Sequence, residues 1–266
     1  MVRQPAVAGK FYTNEPDQLR KELRSMVVEG EQGRALGIVA PHAGYVYSGM
    51  VAGRVYGAIR VPDAVILLGP NHTGMGYPAA ISPLGEWLTP LGAVPVNAAL
   101  CELVVKHAPK VREDATAHRF EHSLEVQVPF LQYRNPNVTI TPICLSYLPF
   151  ETVTEIGEGL ARAITEYGKE VLIVASSDMT HYESAQTARA KDEAALAELT
   201  ALNPQGLLAV CRDRDITMCG VMPAAVMLTA ANQLGARQSW VISYSNSGEV
   251  NGDLKRVVGY AAVAVS

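Results

Sequence analysis

Three short apolar runs, each closing within a few residues on a histidine, constrain this chain more than any other feature. They are Leu36-Gly37-Ile38-Val39-Ala40 before Pro41-His42, Ala64-Val65-Ile66-Leu67-Leu68 before Gly69-Pro70-Asn71-His72, and Val171-Leu172-Ile173-Val174-Ala175 before Ser176-Ser177-Asp178-Met179-Thr180-His181. A run that is apolar at successive positions, rather than alternately, is covered on both faces, as in a buried parallel strand. In open α/β sheets ligands bind beyond the carboxyl ends of such strands, so histidines distant in sequence are expected to converge there. Converging imidazoles imply a metal site or acid/base chemistry.

The remaining chain alternates in the same way. Residues 15–29 carry Leu19, Leu23, Met26 and Val27 at helical spacing before Gly30, which predicts an amphipathic helix. A helix over 48–59 contains Gly49, Ala52, Gly53 and Gly57, small residues that would allow close packing on a sheet. Further helices are predicted at 98–108, 123–134, 150–166, 185–199 and 223–234, with strands at 138–145, 239–243 and 257–265. Strands alternating with helices predict a three-layer α/β/α fold around a mostly parallel or mixed central sheet. There is no internal repeat and no long linker, so residues 1–266 read as a single domain.

Composition narrows the function classes. With 266 residues, 48% of them hydrophobic, the chain can bury about three quarters of its unfolded surface without disulfide staples. The net charge of −4 and the lack of any Lys/Arg block argue against nucleic acid as a partner. No stretch approaches the ~20 apolar residues of a membrane helix, and no signal-peptide core follows Met1, so a cytoplasmic protein with no membrane partner is expected. Cys101, Cys144, Cys211 and Cys219 contain no C-x-x-C pair, which argues against a disulfide framework or a Cys-rich zinc ribbon.

Around the histidines, Pro41 and Gly44 bracket His42 in a rigid bend, and Gly69-Pro70 does the same before His72. Asp178 and His181 are three apart and would share one side of a helical first turn, although Thr180-x-x-Glu183 also fits a capping box. Cys219, in Thr217-Met218-Cys219-Gly220 ahead of a helix near Pro223, is the cysteine whose position favours thiolate and ligation. The other three sit in apolar surroundings and read as packing. Tyr45, Tyr47, Trp87 and Tyr182 are aromatic candidates near the pocket. A rival constellation, His118-Arg119-Phe120-Glu121-His122, matches the H-x-x-E-H pattern of inverted zinc peptidases, but the residues before His118 give little sign of the long helix that motif needs.

Several ordered motifs together resemble the Memo family (mediator of cell motility), whose prokaryotic members are known as protein B of the AmmeMemoRadiSam system. They are Arg3-Gln4-Pro5-Ala6-Val7-Ala8-Gly9-Lys10-Phe11-Tyr12, Pro41-His42-Ala43-Gly44-Tyr45-Val46-Tyr47-Ser48-Gly49, Gly69-Pro70-Asn71-His72, Glu121-His122-Ser123-Leu124-Glu125-Val126-Gln127-Val128-Pro129, Ser176-Ser177-Asp178-Met179-Thr180-His181-Tyr182 and Cys219-Gly220. The resemblance implies a fold similar to the class III extradiol dioxygenases, with His42, His72 and Cys219 as metal ligands. It implies that Asp178 and His181 complete the pocket as catalytic residues, His181 as general base, with Glu121 and His122 at the rim and Tyr45 nearby. Extradiol enzymes hold Fe(II) with two histidines and a carboxylate; a thiolate in third place shifts preference toward copper or zinc. The expectation is therefore a metal-binding, redox-related protein carrying Fe(II) or Cu, with Zn as a third candidate. Its substrate is an unknown small molecule or peptide, and an AMMECR-like protein and a radical-SAM enzyme are the implied partners. The alternative is a non-enzymatic module that binds a peptide or protein in a vestigial pocket.

Overall fold

A computed structural model describes residues 2–28, 30, 32–83 and 85–266. The chain opens with β1 (Val2–Arg3), α1 (Pro16–Met26), β2 (Gly37–Ala40), α2 (Tyr45–Ala58) and β3 (Ala64–Pro70). A more irregular stretch follows: β4 (Ala79–Ile81), β5 (Glu86–Thr89), β6 (Gly92–Pro95), α3 (Ala98–His107) and β7 (Arg112–Glu113). Two 3-10 turns, Ala115–His118 and Glu125–Gln127, flank a loop and lead into α4 (Val128–Arg134). Regular alternation then resumes with β8 (Thr139–Leu145), α5 (Phe150–Tyr167), β9 (Val171–Ser176), β10 (His181–Glu183) and α6 (Ala185–Thr200). The chain closes with α7 (Pro204–Asp213), α8 (Val221–Gln233), β11 (Ser239–Asn246), α9 (Gly248–Asn251) and β12 (Val257–Val265).

The main sheet runs β10-β12-β2-β9-β3-β8-β4-β7, with β11 also paired to β12. Its centre, β2, β9, β3 and β8, is parallel, whereas β12 and β4 flank that centre antiparallel. The sheet is thus mixed, and the fold is α/β as the alternation predicts. Every residue of β2, β3 and β9 is buried, which is why these runs are apolar at successive positions. Burying each Val, Leu or Ile contributes about 1.5–3 kcal/mol, so the three strands form a stiff base for whatever their ends carry. Helices α3, α5, α7 and α8 pack as one set, and α1, α2 and α4 as another. Among the described residues, no helix is long and apolar enough to cross a membrane.

Some boundaries differ from the sequence reading for identifiable reasons. The first helix ends at Met26, and Val27 and Val28 leave it; Glu29 lies outside the described residues. The glycines Gly49, Gly53 and Gly57 of α2 face the end of α1 and this departing segment. A Cβ at Gly53 would strike the Met26 carbonyl, and one at Gly57 the Val28 carbonyl. The helix expected from residue 123 starts at Val128, where Pro129 falls in the first turn and its missing N–H costs nothing. Helix α7 adds to the helices expected from periodicity; Asn203 caps it and Pro204 starts it.

Candidate metal centre

The strand order β2-β9-β3 brings three strand ends side by side, with Ala40 in register with Ser176 and Leu68 with Ala175. His42 and His72 each lie two residues beyond their strands, and their rings approach to 5.2 Å between centroids. The loop between the 3-10 turns adds His122, stacked on His72 at 4.6 Å and 5.5 Å from His42. One ligand atom from each of His42, His72 and His122 lies within 4.8 Å of the others, so this cluster can hold a metal ion. The family resemblance implies a place at the rim for His122. Only the fold-back of its loop onto the end of β3 makes it a member of the cluster.

Hydrogen bonds assign the tautomers of two imidazoles. The hydroxyl of Ser176 has one proton, which it donates to the Ser123 carbonyl at 2.7 Å. Its oxygen therefore accepts, both from Gln127 Nε2 at 2.9 Å and from His42 Nδ1 at 2.9 Å. Gln127 is itself oriented by the Tyr56 hydroxyl, which donates to its Oε1, and by the Pro41 carbonyl, which accepts from its Nε2. With its proton on Nδ1, His42 keeps a lone pair on Nε2. His72 Nδ1 donates to Glu121 Oε1 at 2.9 Å and likewise leaves Nε2 open. Each is an imidazole oriented through its other nitrogen, the arrangement metal-binding histidines use.

Glu121 carries more than one ring. Its carboxylate also accepts the backbone N–H groups of His72 at 2.6 Å and of His122 and Ser123 at 2.9 Å. Burial pushes this carboxyl up, but the His72 bond and charge, the Ser123 N–H and the His122 charge outweigh burial and hold it at about 2. Burial, followed by the neighbouring His72, His122 and His181 charges, drives His42 well below the ordinary 6.5. Burial also lowers His122 against the pull of Glu121. Both rings are accordingly neutral near pH 7, as ligation requires.

Cys219, just before α8, meets the cluster at His42. A Cβ at Gly220 would collide with the Ser176 carbonyl and the Ser177 side chain, so only glycine lets the start of α8 approach β9 this closely. Cys219 Sγ then sits 3.1 Å from His42 Nε2 and accepts the Asp178 N–H at 3.2 Å. The thiolate expected from its place before a helix is not favoured here: burial, then the Asp178 charge, pushes the thiol up. Asp178 Oδ1 accepts the N–H groups of His42 at 2.7 Å and Ala43 at 3.3 Å, tying the β2 loop to the β9 loop. Burial raises this carboxyl to about 6 against those bonds and the His181 and His72 charges.

His181 is not on a helical turn with Asp178. It opens β10, with its N–H on Thr217 Oγ1 at 2.7 Å and its Nδ1 donating to the Thr217 carbonyl at 3.0 Å. The next residue, Tyr182, takes a left-handed φ of 62° at an irregularity in the β10–β12 pairing, and α6 is capped by Ser184 instead of a Thr180 box. Tyr45 is 4% exposed, and its hydroxyl donates to the Val126 carbonyl within the aromatic core of Tyr12 and Phe130. It is not brought into the cluster. Nor is His118, whose Nε2 donates to the Ala80 carbonyl beside Trp87. Because the 3-10 turn ends at His118, the H-x-x-E-H string makes no helical zinc motif.

Comparison with known proteins identifies the family. A family model described as Memo-like protein matches residues 3–264. A MEMO1 family protein of Methanosarcina barkeri is 45% identical over 267 residues, covering 99% of this chain and all of that one. One from Aquifex aeolicus is 42% identical over 262 residues, covering 97% of each. The crystal structure of an uncharacterized protein from Escherichia coli K12 superposes with a TM-score of 0.57 at 16% identity, covering 87% of this chain and all of that one, a likeness of fold. On the family match and on relatives similar over nearly their whole length, the chain belongs to the Memo-like family.

Proposed function

We propose that this chain binds a redox-active transition metal, Fe(II) or Cu, on His42 Nε2, His72 Nε2 and Cys219 Sγ, and acts as a non-heme dioxygenase-like oxidoreductase. The observation that carries this reading is the pair of fixed tautomers: Ser176 and Glu121 hold the Nδ1 protons and leave two Nε2 lone pairs available. A donor set of two imidazoles and a sulfur suits copper, iron or zinc. Ligation by Cys219 would require loss of the thiol proton, and the charge of the bound cation would offset the burial penalty on its thiolate. Bound there, the ion would supply electron transfer and Lewis acidity. His122 adds a third imidazole to the wall of the site.

The chain's own groups divide the remaining work. Thr217 fixes His181 through Nδ1, so its Nε2 is the nitrogen that accepts a proton from a small-molecule substrate. Asp178 anchors the His42 backbone. The same reading places an AMMECR-like protein and a radical-SAM enzyme as functional partners. Metal analysis of protein purified without added metal is the test: about one ion per chain is expected, and none in a His42→Ala/His72→Ala double variant. Equal metal content in the two proteins contradicts the proposal.

A further inference from the structure

The loop that carries Glu121 and His122 does not support itself. Residues 119–124 lie between two 3-10 turns and form no helix or strand, so their carbonyls must find partners elsewhere. The Val126 and Gln127 N–H groups take the His122 and Leu124 carbonyls and the Ser176 hydroxyl takes that of Ser123, while the Glu121 carbonyl, and that of His118 just before the loop, are held by one side chain distant in sequence. Arg3 donates from Nε to the His118 carbonyl at 2.8 Å, from Nη2 to the Glu121 carbonyl at 2.6 Å, and from Nη1 to Glu125 Oε2 at 2.7 Å. Its guanidinium lies 4.2 Å from the centre of the Trp87 ring, and its side chain is 10% exposed. The planar fork thus bridges the loop from His118 on one flank through Glu121 to Glu125 on the other.

Glu125 completes the clasp. Its carboxylate accepts Ala6 N–H at 2.7 Å, Val7 N–H at 3.0 Å and the Tyr12 hydroxyl at 2.8 Å, so the segment from Arg3 to Tyr12 is strapped across the loop. Arg3 holds Glu121 by its backbone, while the Glu121 carboxylate holds His72 and His122. A contact chain therefore runs from the first strand of the protein to two imidazoles of the cluster. We propose that Arg3 is a positioning residue for the histidine cluster, setting the place of Glu121 and through it the geometry and metal affinity of His72 and His122. The affinity part rests on the metal reading above; the positional part does not.

Arg3→Lys tests this, because an ammonium keeps the charge but cannot reach three acceptors in one plane. Val153→Ala, a buried change on α5, serves as the control for general destabilisation. In the metal-free proteins, amide exchange at His72, His122 and Ser123, whose N–H groups donate to Glu121, is expected to be about tenfold faster in Arg3→Lys than in the control. In Co(II) titrations against a competing chelator, Arg3→Lys is expected to bind about tenfold more weakly, with an altered ligand-field spectrum, while Val153→Ala keeps wild-type affinity. Exchange in Arg3→Lys no faster than in the control overturns the proposal, as does faster exchange with unchanged Co(II) affinity. A wild-type protein that binds no Co(II) contradicts the metal reading alone, and the exchange measurement still decides the role of Arg3.

Discussion

The same three strands begin and end in opposite chemical settings. Just ahead of β2, β3 and β9 stand Arg34, Arg60 and Glu170, paired with one another on the surface, the two arginine side chains 71% and 61% exposed. Just beyond the same strands stand His42, His72 and Asp178 with Ser176, Gln127 and Glu121, most of them buried and joined by directed hydrogen bonds. Exposed pairs of the first kind contribute little to stability. Buried polar networks of the second kind are costly to assemble and are tolerated only when every member is satisfied. A fold seeking stability alone would place apolar residues at the carboxyl edge, so the polar density there marks function.

The largest effect that would break this contrast is expected at Glu121. Glu121→Ala leaves three backbone N–H groups and His72 Nδ1 without an acceptor, which should cost about 3 kcal/mol or more in urea unfolding and weaken metal binding by at least about tenfold. The acid dependence follows from the depressed carboxyl. Its stabilisation is fully present above the ordinary value of 4.5 and is lost as pH falls toward about 2. The stability gap between wild type and Glu121→Gln should therefore shrink over that window, and a gap that does not change with pH would separate Glu121 from this network.

Ser176→Ala comes next. It strips the acceptor from His42 Nδ1 and Gln127 Nε2 and the donor from the Ser123 carbonyl, with an expected loss of about 1–3 kcal/mol and roughly tenfold in metal affinity. Free exchange between His42 tautomers, read by imidazole nitrogen shifts, is the sharper signature. The smallest effect belongs to the opposite edge. Glu170→Ala should leave both the urea midpoint and metal affinity at wild-type values, and a loss there comparable to that of Ser176→Ala would erase the distinction between the two edges.

Much of the central architecture was legible because parallel strands buried on both faces leave an unbroken apolar signature, and β2, β3 and β9 carry it before their polar turns. Their adjacency in the sheet could not be read from periodicity, since strand order is a long-range property. Loop 119–124 shows the limit. Its residues look like a helix start, and only the contacts from Arg3 and the end of β3 explain why they turn back and deliver His122 to the cluster. Asp178 and His181 show a second limit, because a spacing of three suggests a helical face whereas the chain makes a strand with a left-handed residue at Tyr182. Tyr45 shared a motif with His42, yet as the first residue of α2 it turns into the core.

The most direct measurement is anomalous diffraction from crystals prepared with Fe(II) under anaerobic conditions. A single ion within bonding distance of His42 Nε2, His72 Nε2 and Cys219 Sγ is the predicted result, with His42 Nδ1 still on Ser176 and His72 Nδ1 still on Glu121. No ion at the cluster, or one bound with either histidine turned to ligate through Nδ1, would contradict the account.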